Sequence, residues 1–140
     1  MIPLGAVVPN DKLGLGSTTS VLSRVLIDRY FDATVDVFAL DAEHGTLEHA
    51  QTIATLPPGF SGKPWAADIH LTPVGRFLYT SGRRSSTLTA FRVAADSGQL
   101  SLIGQVPTEA QPRDFAASPD GHWMYAVGLN PNWVEAITLP

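Results

Sequence analysis

Cysteine is absent from the 140 residues, so neither a disulfide framework nor a thiolate metal site is available. Charge is scarce as well. Charged side chains make up 16% and hydrophobic ones 44%, which makes a packed core feasible and argues against a disordered chain. The formal net charge of −4 speaks against nucleic acid and against anionic membrane surfaces as partners. No apolar run approaches the roughly 20 residues of a membrane-spanning helix. The N-terminal run Met1–Val8 has no basic residue and is broken by Pro3, unlike a signal peptide. A cytoplasmic protein that binds neither nucleic acid nor membrane is expected. Nucleophile chemistry has little footing, since no Gly-x-Ser-x-Gly elbow occurs. The Gly-rich stretch 13–17 lacks the Lys-Ser and the βαβ setting of a phosphate loop.

Glycine (12) and proline (11) are plentiful by contrast, and they cluster between apolar runs, as in a chain of short strands and turns. The runs repeat. Pro73-Val74-Gly75-Arg76-Phe77-Leu78-Tyr79 matches Pro119-Asp120-Gly121-His122-Trp123-Met124-Tyr125 at an offset of 46, which also carries Thr87–Phe91 onto Trp133–Ile137. Thr34–Phe38 resembles Thr87–Phe91 at an offset of 53, and Ala42–Leu47 matches Ala95–Leu100 at the same 53. The additional seven residues fit the Pro- and Gly-rich loop Leu56–Pro64, where insertion costs little. Several strands per unit of about 45 residues is the mark of propeller blades. One unit reads as strands over Ala66–Leu71, Phe77–Ser81, Thr87–Val93 and Leu100–Val106, with turns at 72–75 and 94–98. An all-β fold follows: a partial β-propeller of about two and a half four-stranded blades. Residues 33–140 carry the repeat. Residues 1–32 form an atypical N-terminal segment, in which Val21–Asp28 could be strand or short helix.

Two segments carry a resemblance. Trp65-Ala66-Ala67-Asp68-Ile69-His70-Leu71-Thr72-Pro73 is similar to the WAADIH-x-TPDG segment of the propeller-type 6-phosphogluconolactonases, the lactonase family. Pro107-Thr108-Glu109-Ala110-Gln111-Pro112-Arg113-Asp114-Phe115 resembles that family's PTE-x-QPRGF segment. The likeness covers about Ala33–Ile137. It implies a seven-bladed ring in a complete protein, of which this chain is a fragment, and hydrolysis of a phosphorylated sugar lactone in the pentose phosphate pathway. It implies no cofactor and no metal. The chain departs from the family pattern at Val74 (usually Asp), Gly82 (usually acidic) and Asp114 (usually Gly), and has Arg29-Tyr30 in place of an Asn-Glu pair. With blades missing, two open edges invite self-association.

Lactone hydrolysis needs a base for water and a cation near the developing oxyanion, and a phosphate adds a demand for arginine. His70 could orient or deprotonate water, or could be a hydrogen-bonded structural histidine. Asp68, two residues away on the same strand face, could be the base or could cap a turn. Arg83 follows the second strand at a position that the resemblance directs toward the cleft; it and Arg84 could equally be solvated cations. Arg113 could contact phosphate or carboxylate, or pair with Glu109 or Asp114. Glu109 is a further substrate-binding candidate, expected to be exposed. The site thus comprises His70, Asp68 and Arg83 as catalytic candidates and Arg113 and Glu109 as substrate-binding ones. His44, His49 and His122 are expected at the surface, and no histidine spacing suggests a metal. Trp65, Trp123 and Trp133 are expected to pack between blades.

Overall fold

The computed structural model describes residues 2–3, 15–21, 24–72, 74–129 and 134–139. Among them are twelve strands and no helix. The strands are β1 (Ile2–Pro3), β2 (Leu15–Val21), β3 (Arg24–Arg29), β4 (Thr34–Asp41), β5 (Thr46–Ala54), β6 (Ala66–Leu71), β7 (Phe77–Gly82), β8 (Thr87–Val93), β9 (Leu100–Pro107), β10 (Asp114–Ala117), β11 (Trp123–Val127) and β12 (Val134–Thr138). They form three antiparallel sheets, in the orders β1-β5-β4-β3-β2, β6-β7-β8-β9 and β10-β11-β12. Each sheet is a meander of consecutive strands, apart from β1 on the outer edge of the first. These are the partial propeller blades that the repeat implies. Trp133 lies outside the described residues.

The repeat is written in the backbone as clearly as in the side chains. Gly75 and Gly121, 46 apart, have φ of 68° and 73°, a left-handed conformation open to glycine at no steric cost. Each N–H closes a turn onto the carbonyl three residues earlier, Thr72 in one unit and Ser118 in the next. At the offset of 53, Ala33 and Ser86 both take φ of 50°, and their carbonyls accept from Thr55 and Thr108 respectively. The β-bulge between Val37 and Phe38 recurs between Ala90 and Phe91.

Residues 15–29, where no repeat is legible, nonetheless supply two strands of the first sheet. Arg29 pairs with Leu15, as Gly82 pairs with Ala66 one unit later, and both pairs sit beside a register shift. Val25 and Leu26 pair with Phe38 and Val37 in β4, so Val21–Asp28 contributes strand rather than helix.

Two apolar layers hold the sheets together. Leu26, Val35 and Val37 of the first sheet meet Ile69, Leu78, Phe91, Val93 and Leu100 of the second. Tyr79 and Leu88 on the other side of the second sheet meet Phe115, Met124 and Ala126 of the third. Strand alternation makes both layers possible, because successive side chains point to opposite faces. A fully buried side chain of this size contributes about 1.5–3 kcal/mol, and Phe91, Leu26 and Leu78 are each fully buried. Polar clamps add to the first layer. The Gln51 amide donates to the Leu100 carbonyl (2.9 Å) and accepts from its N–H (2.8 Å), and Thr89 Oγ1 donates to the Thr55 carbonyl (2.7 Å).

Candidate functional site

The leading strands of the three sheets, β2, β6 and β10, gather side by side. Side chains on β6 and on the segments entering β10 are thereby brought into one region, although more than 40 residues separate them in sequence. Two features lie there, one acidic and one basic.

The acidic feature is built on His70. Its Nε2 is 2.7 Å from Asp68 Oδ2 and 3.8 Å from Asp114 Oδ1. The ring stands edge-on to buried Phe115, with centroids 5.0 Å apart. Asp68 is further fixed by the Ile69 N–H on Oδ1 (2.9 Å), while its own N–H donates to Ser81 Oγ (3.2 Å). Burial opposes ionisation of Asp68. The hydrogen bond from Asp114, the Ile69 N–H and the His70 charge outweigh it and hold its pKa below the usual carboxylate value. Asp114 moves the other way: its hydrogen bond to Asp68, then burial, then the Asp68 charge raise its pKa. Of the two carboxyl groups, Asp68 is therefore the one that ionises more readily, and it lies against His70. Asp28 lies behind them on β3. It is fully buried, neither carboxylate oxygen has a hydrogen-bond partner among the described residues, and burial followed by the Asp68 charge pushes its pKa up to about 8.

The basic feature is a cleft of about 270 Å³ lined by Tyr30, Trp65, Ala66, Ala67, Arg83 and Arg113. The Arg83 N–H donates to the Trp65 carbonyl (2.7 Å), and its guanidinium carbon lies 4.1 Å from the Trp65 ring centroid, a stacked cation–π contact. Arg84 reaches the same ring at 5.7 Å. Arg83 Nε is buried without a hydrogen-bond partner among the described residues. Arg113 is anchored through its N–H to the Val127 carbonyl (3.0 Å). Among the described residues neither Arg83 nor Arg113 makes an ion pair. Two guanidinium groups in a cleft walled by an aromatic ring have the chemistry to hold an anion. Ala67 and Arg113 of the lining are the chain neighbours of Asp68 and Asp114, so the two features adjoin.

The expected residues are thus divided. His70 and Asp68 are hydrogen-bonded to one another, and Arg83 and Arg113 line one cleft. Glu109 lies outside that lining, half-buried, with its N–H donating to Glu135 Oε2 (2.9 Å). Trp65, expected between blades, is 38% exposed and forms the cleft wall under Arg83; Trp123 is 42% exposed. His44, His49 and His122 are exposed as expected. In the sequence Tyr30 and Asp114 stand out only as departures from the family pattern, Asp114 also as an ion-pair partner for Arg113. Asp28 was passed over, its signal being a single acid directly after the apolar run Val25-Leu26-Ile27.

A family model described as "Lactonase, 7-bladed beta-propeller" matches residues 31–139. The chain belongs to this lactonase family. The 6-phosphogluconolactonase of Pectobacterium carotovorum subsp. carotovorum is 46% identical over 104 residues, which are 74% of this chain and 31% of that protein. The 6-phosphogluconolactonase of Serratia proteamaculans is 48% identical over 97 residues, 69% of this chain and 29% of that protein. The chain therefore spans about 30% of the length of these curated relatives. Among solved structures, the periplasmic gluconolactonase of Pseudomonas aeruginosa superposes with a TM-score of 0.79 at 31% identity, over 84% of this chain and 33% of that one. A protein from Lactobacillus plantarum gives 0.78 at 28% identity, over 84% and 35%. No described helix is long and apolar enough to cross a membrane.

Proposed function

We propose that this lactonase-family chain carries part of a cleft that binds a phosphorylated sugar lactone of the 6-phosphogluconolactone type and hydrolyses it. The observation that carries this reading is the pair of guanidinium groups without counter-ions, Arg83 and Arg113, adjoining an ionised Asp68 paired with His70. Arg113 takes the phosphate and Arg83 the developing oxyanion. Asp68 accepts the Nε2–H of His70 and so fixes the tautomer in which Nδ1 is free to accept a proton from water. Water oxygen bonds to the lactone carbonyl carbon, its proton passes to His70, and the ring C–O bond breaks. The proton then returns to the departing oxygen, giving the hydroxy acid. Glu109 serves this scheme at the rim, as a hydrogen-bond acceptor for sugar hydroxyls. In this reading the reaction belongs to the pentose phosphate pathway and the chain to the cytoplasm, without nucleic-acid or membrane partners.

The test is lactone hydrolysis above the spontaneous rate, with Arg113→Ala and His70→Ala beside the unaltered chain. Rates equal to buffer for all three would end the enzymatic reading.

An exposed apolar face favours a second reading, a non-catalytic module that binds a sugar phosphate or acts as a structural piece. Trp123, Tyr125, Val127 and Val134 expose apolar surface on the third sheet, with Val134 65% exposed. Such a face, together with open sheet edges, favours self-association. Binding of 6-phosphogluconate without turnover, abolished in Arg113→Ala, would select this module. Light scattering that gives a monomer would remove self-association from either reading.

A further inference from the structure

One oxygen of Asp68, one ring nitrogen of His70 and one oxygen of Asp114 all lie within 4.8 Å of one another. The His70 Nε2 distances, 2.7 Å to Asp68 and 3.8 Å to Asp114, bracket the spacing of roughly 3.4 Å between ligand atoms around a tetrahedral ion with bonds of about 2.1 Å. Reaching that spacing takes a slight opening of the Asp68–His70 contact and a slight approach by Asp114, whose side chain is 70% exposed. Asp68 and His70 are held by β6, and Asp114 opens β10, so the group bridges two sheets.

A second observation points the same way. Asp28 sits on β3, which packs against β6, and its carboxyl group is fully buried, without a hydrogen-bond partner among the described residues and within electrostatic reach of Asp68. Three carboxylates consequently share one corner with a single imidazole, and among the described residues no Lys or Arg pairs with any of them.

We propose that Asp68, His70 and Asp114 form the protein side of a divalent transition-metal site. One imidazole nitrogen and two carboxylate oxygens suit Mn²⁺ or Zn²⁺, and the half-exposed position leaves room for water to complete the coordination. The two uses of His70 exclude one another, because a ring that binds a cation through Nε2 carries its proton on Nδ1. Binding is therefore measured without lactone, and its outcome is separate from that of the hydrolysis assay.

The chain, stripped with chelator, is titrated with Mn²⁺ alone, and free Mn²⁺ is followed by its paramagnetic resonance signal. One saturable site is expected, weakened on the order of tenfold or more in Asp114→Ala and in His70→Ala. His44→Ala, at the exposed Asp41–His44 pair 2.8 Å apart, should bind as the unaltered chain does. Because Asp114 is so exposed, Asp114→Ala keeps the fold even if His70→Ala loosens the packing on Phe115. Absence of saturable binding, equal affinity in Asp114→Ala, or loss in His44→Ala would each overturn the proposal.

Discussion

Replacing Asp28 with asparagine should flatten the dependence of stability on pH. The carboxyl is fully buried on β3, accepts no hydrogen bond from the described residues and feels the Asp68 charge, and its pKa stands at about 8 against an ordinary 3.8. The folded chain therefore holds a proton there that the unfolded chain has released over the interval between these values. Stability from this group is fully present below the unfolded pKa and is lost as pH rises toward 8. One proton costs about 1.4 kcal/mol per pH unit, so going from about pH 5 to about pH 7 should cost about 3 kcal/mol. That is a large part of the 5–15 kcal/mol typical of a domain. The groups with lowered pKa, Asp68, Asp41 and Asp120, lose their stabilising contribution only as pH falls below the usual carboxylate range, outside this window. Urea denaturation at both pH values measures the difference. Asparagine has the same shape and cannot ionise, so Asp28→Asn should have nearly equal midpoints at the two. Parallel pH profiles for the two proteins would show that Asp28 is ionised in the folded state, and the account of this corner would fail.

Other consequences follow from single contacts. Phe91→Ala empties the centre of the first apolar layer and should cost about 3–5 kcal/mol, read as a drop in the urea midpoint. Thr89→Val removes the donor to the Thr55 carbonyl between the first two sheets and should cost about 1–2 kcal/mol. In Gly128→Ala the new Cβ would stand 2.8 Å from the Ala110 carbonyl oxygen, a backbone atom that accepts from Leu129. The loop leading to Arg113 should shift, lowering both thermal stability and sugar-phosphate affinity. Arg83→Ala should weaken binding of 6-phosphogluconate about tenfold or more by calorimetry, in keeping with a charge-assisted hydrogen bond of about 1.5–3 kcal/mol.

Where the repeat was legible in sequence, the strands follow it closely. Ala66–Leu71 and Thr87–Val93 were readable to the residue, because Pro, Gly and alternating apolar positions mark each boundary. Residues 15–29 carry the same blade geometry without that punctuation. Their pairing is dictated by tertiary contact: Leu26 fills the layer against β8, and the β4 edge offers N–H and C=O groups that must be satisfied. An apolar strand of six residues is indistinguishable from a short helix by periodicity alone. Its role emerges only once β4 presents an edge.

The site divides along the same line. Asp68 and His70, two apart on one strand, share a face by the pleat, and their association is readable from sequence. Arg83 and Arg113 were readable only as types of residue suited to an anion. Their meeting depends on β6 and β10 lying side by side, a relation between sheets that strand periodicity does not encode. Asp114 is the sharpest case. A carboxylate placed one residue after a candidate phosphate ligand looks like an ion-pair partner, yet Arg113 and Asp114 do not pair; the strand turns Asp114 toward Asp68 and His70 instead. That single reversal sets a second carboxyl group on the imidazole–carboxylate pair beside the arginine-lined cleft, so electrostatics alone would turn a sugar phosphate with its anionic end toward the arginines.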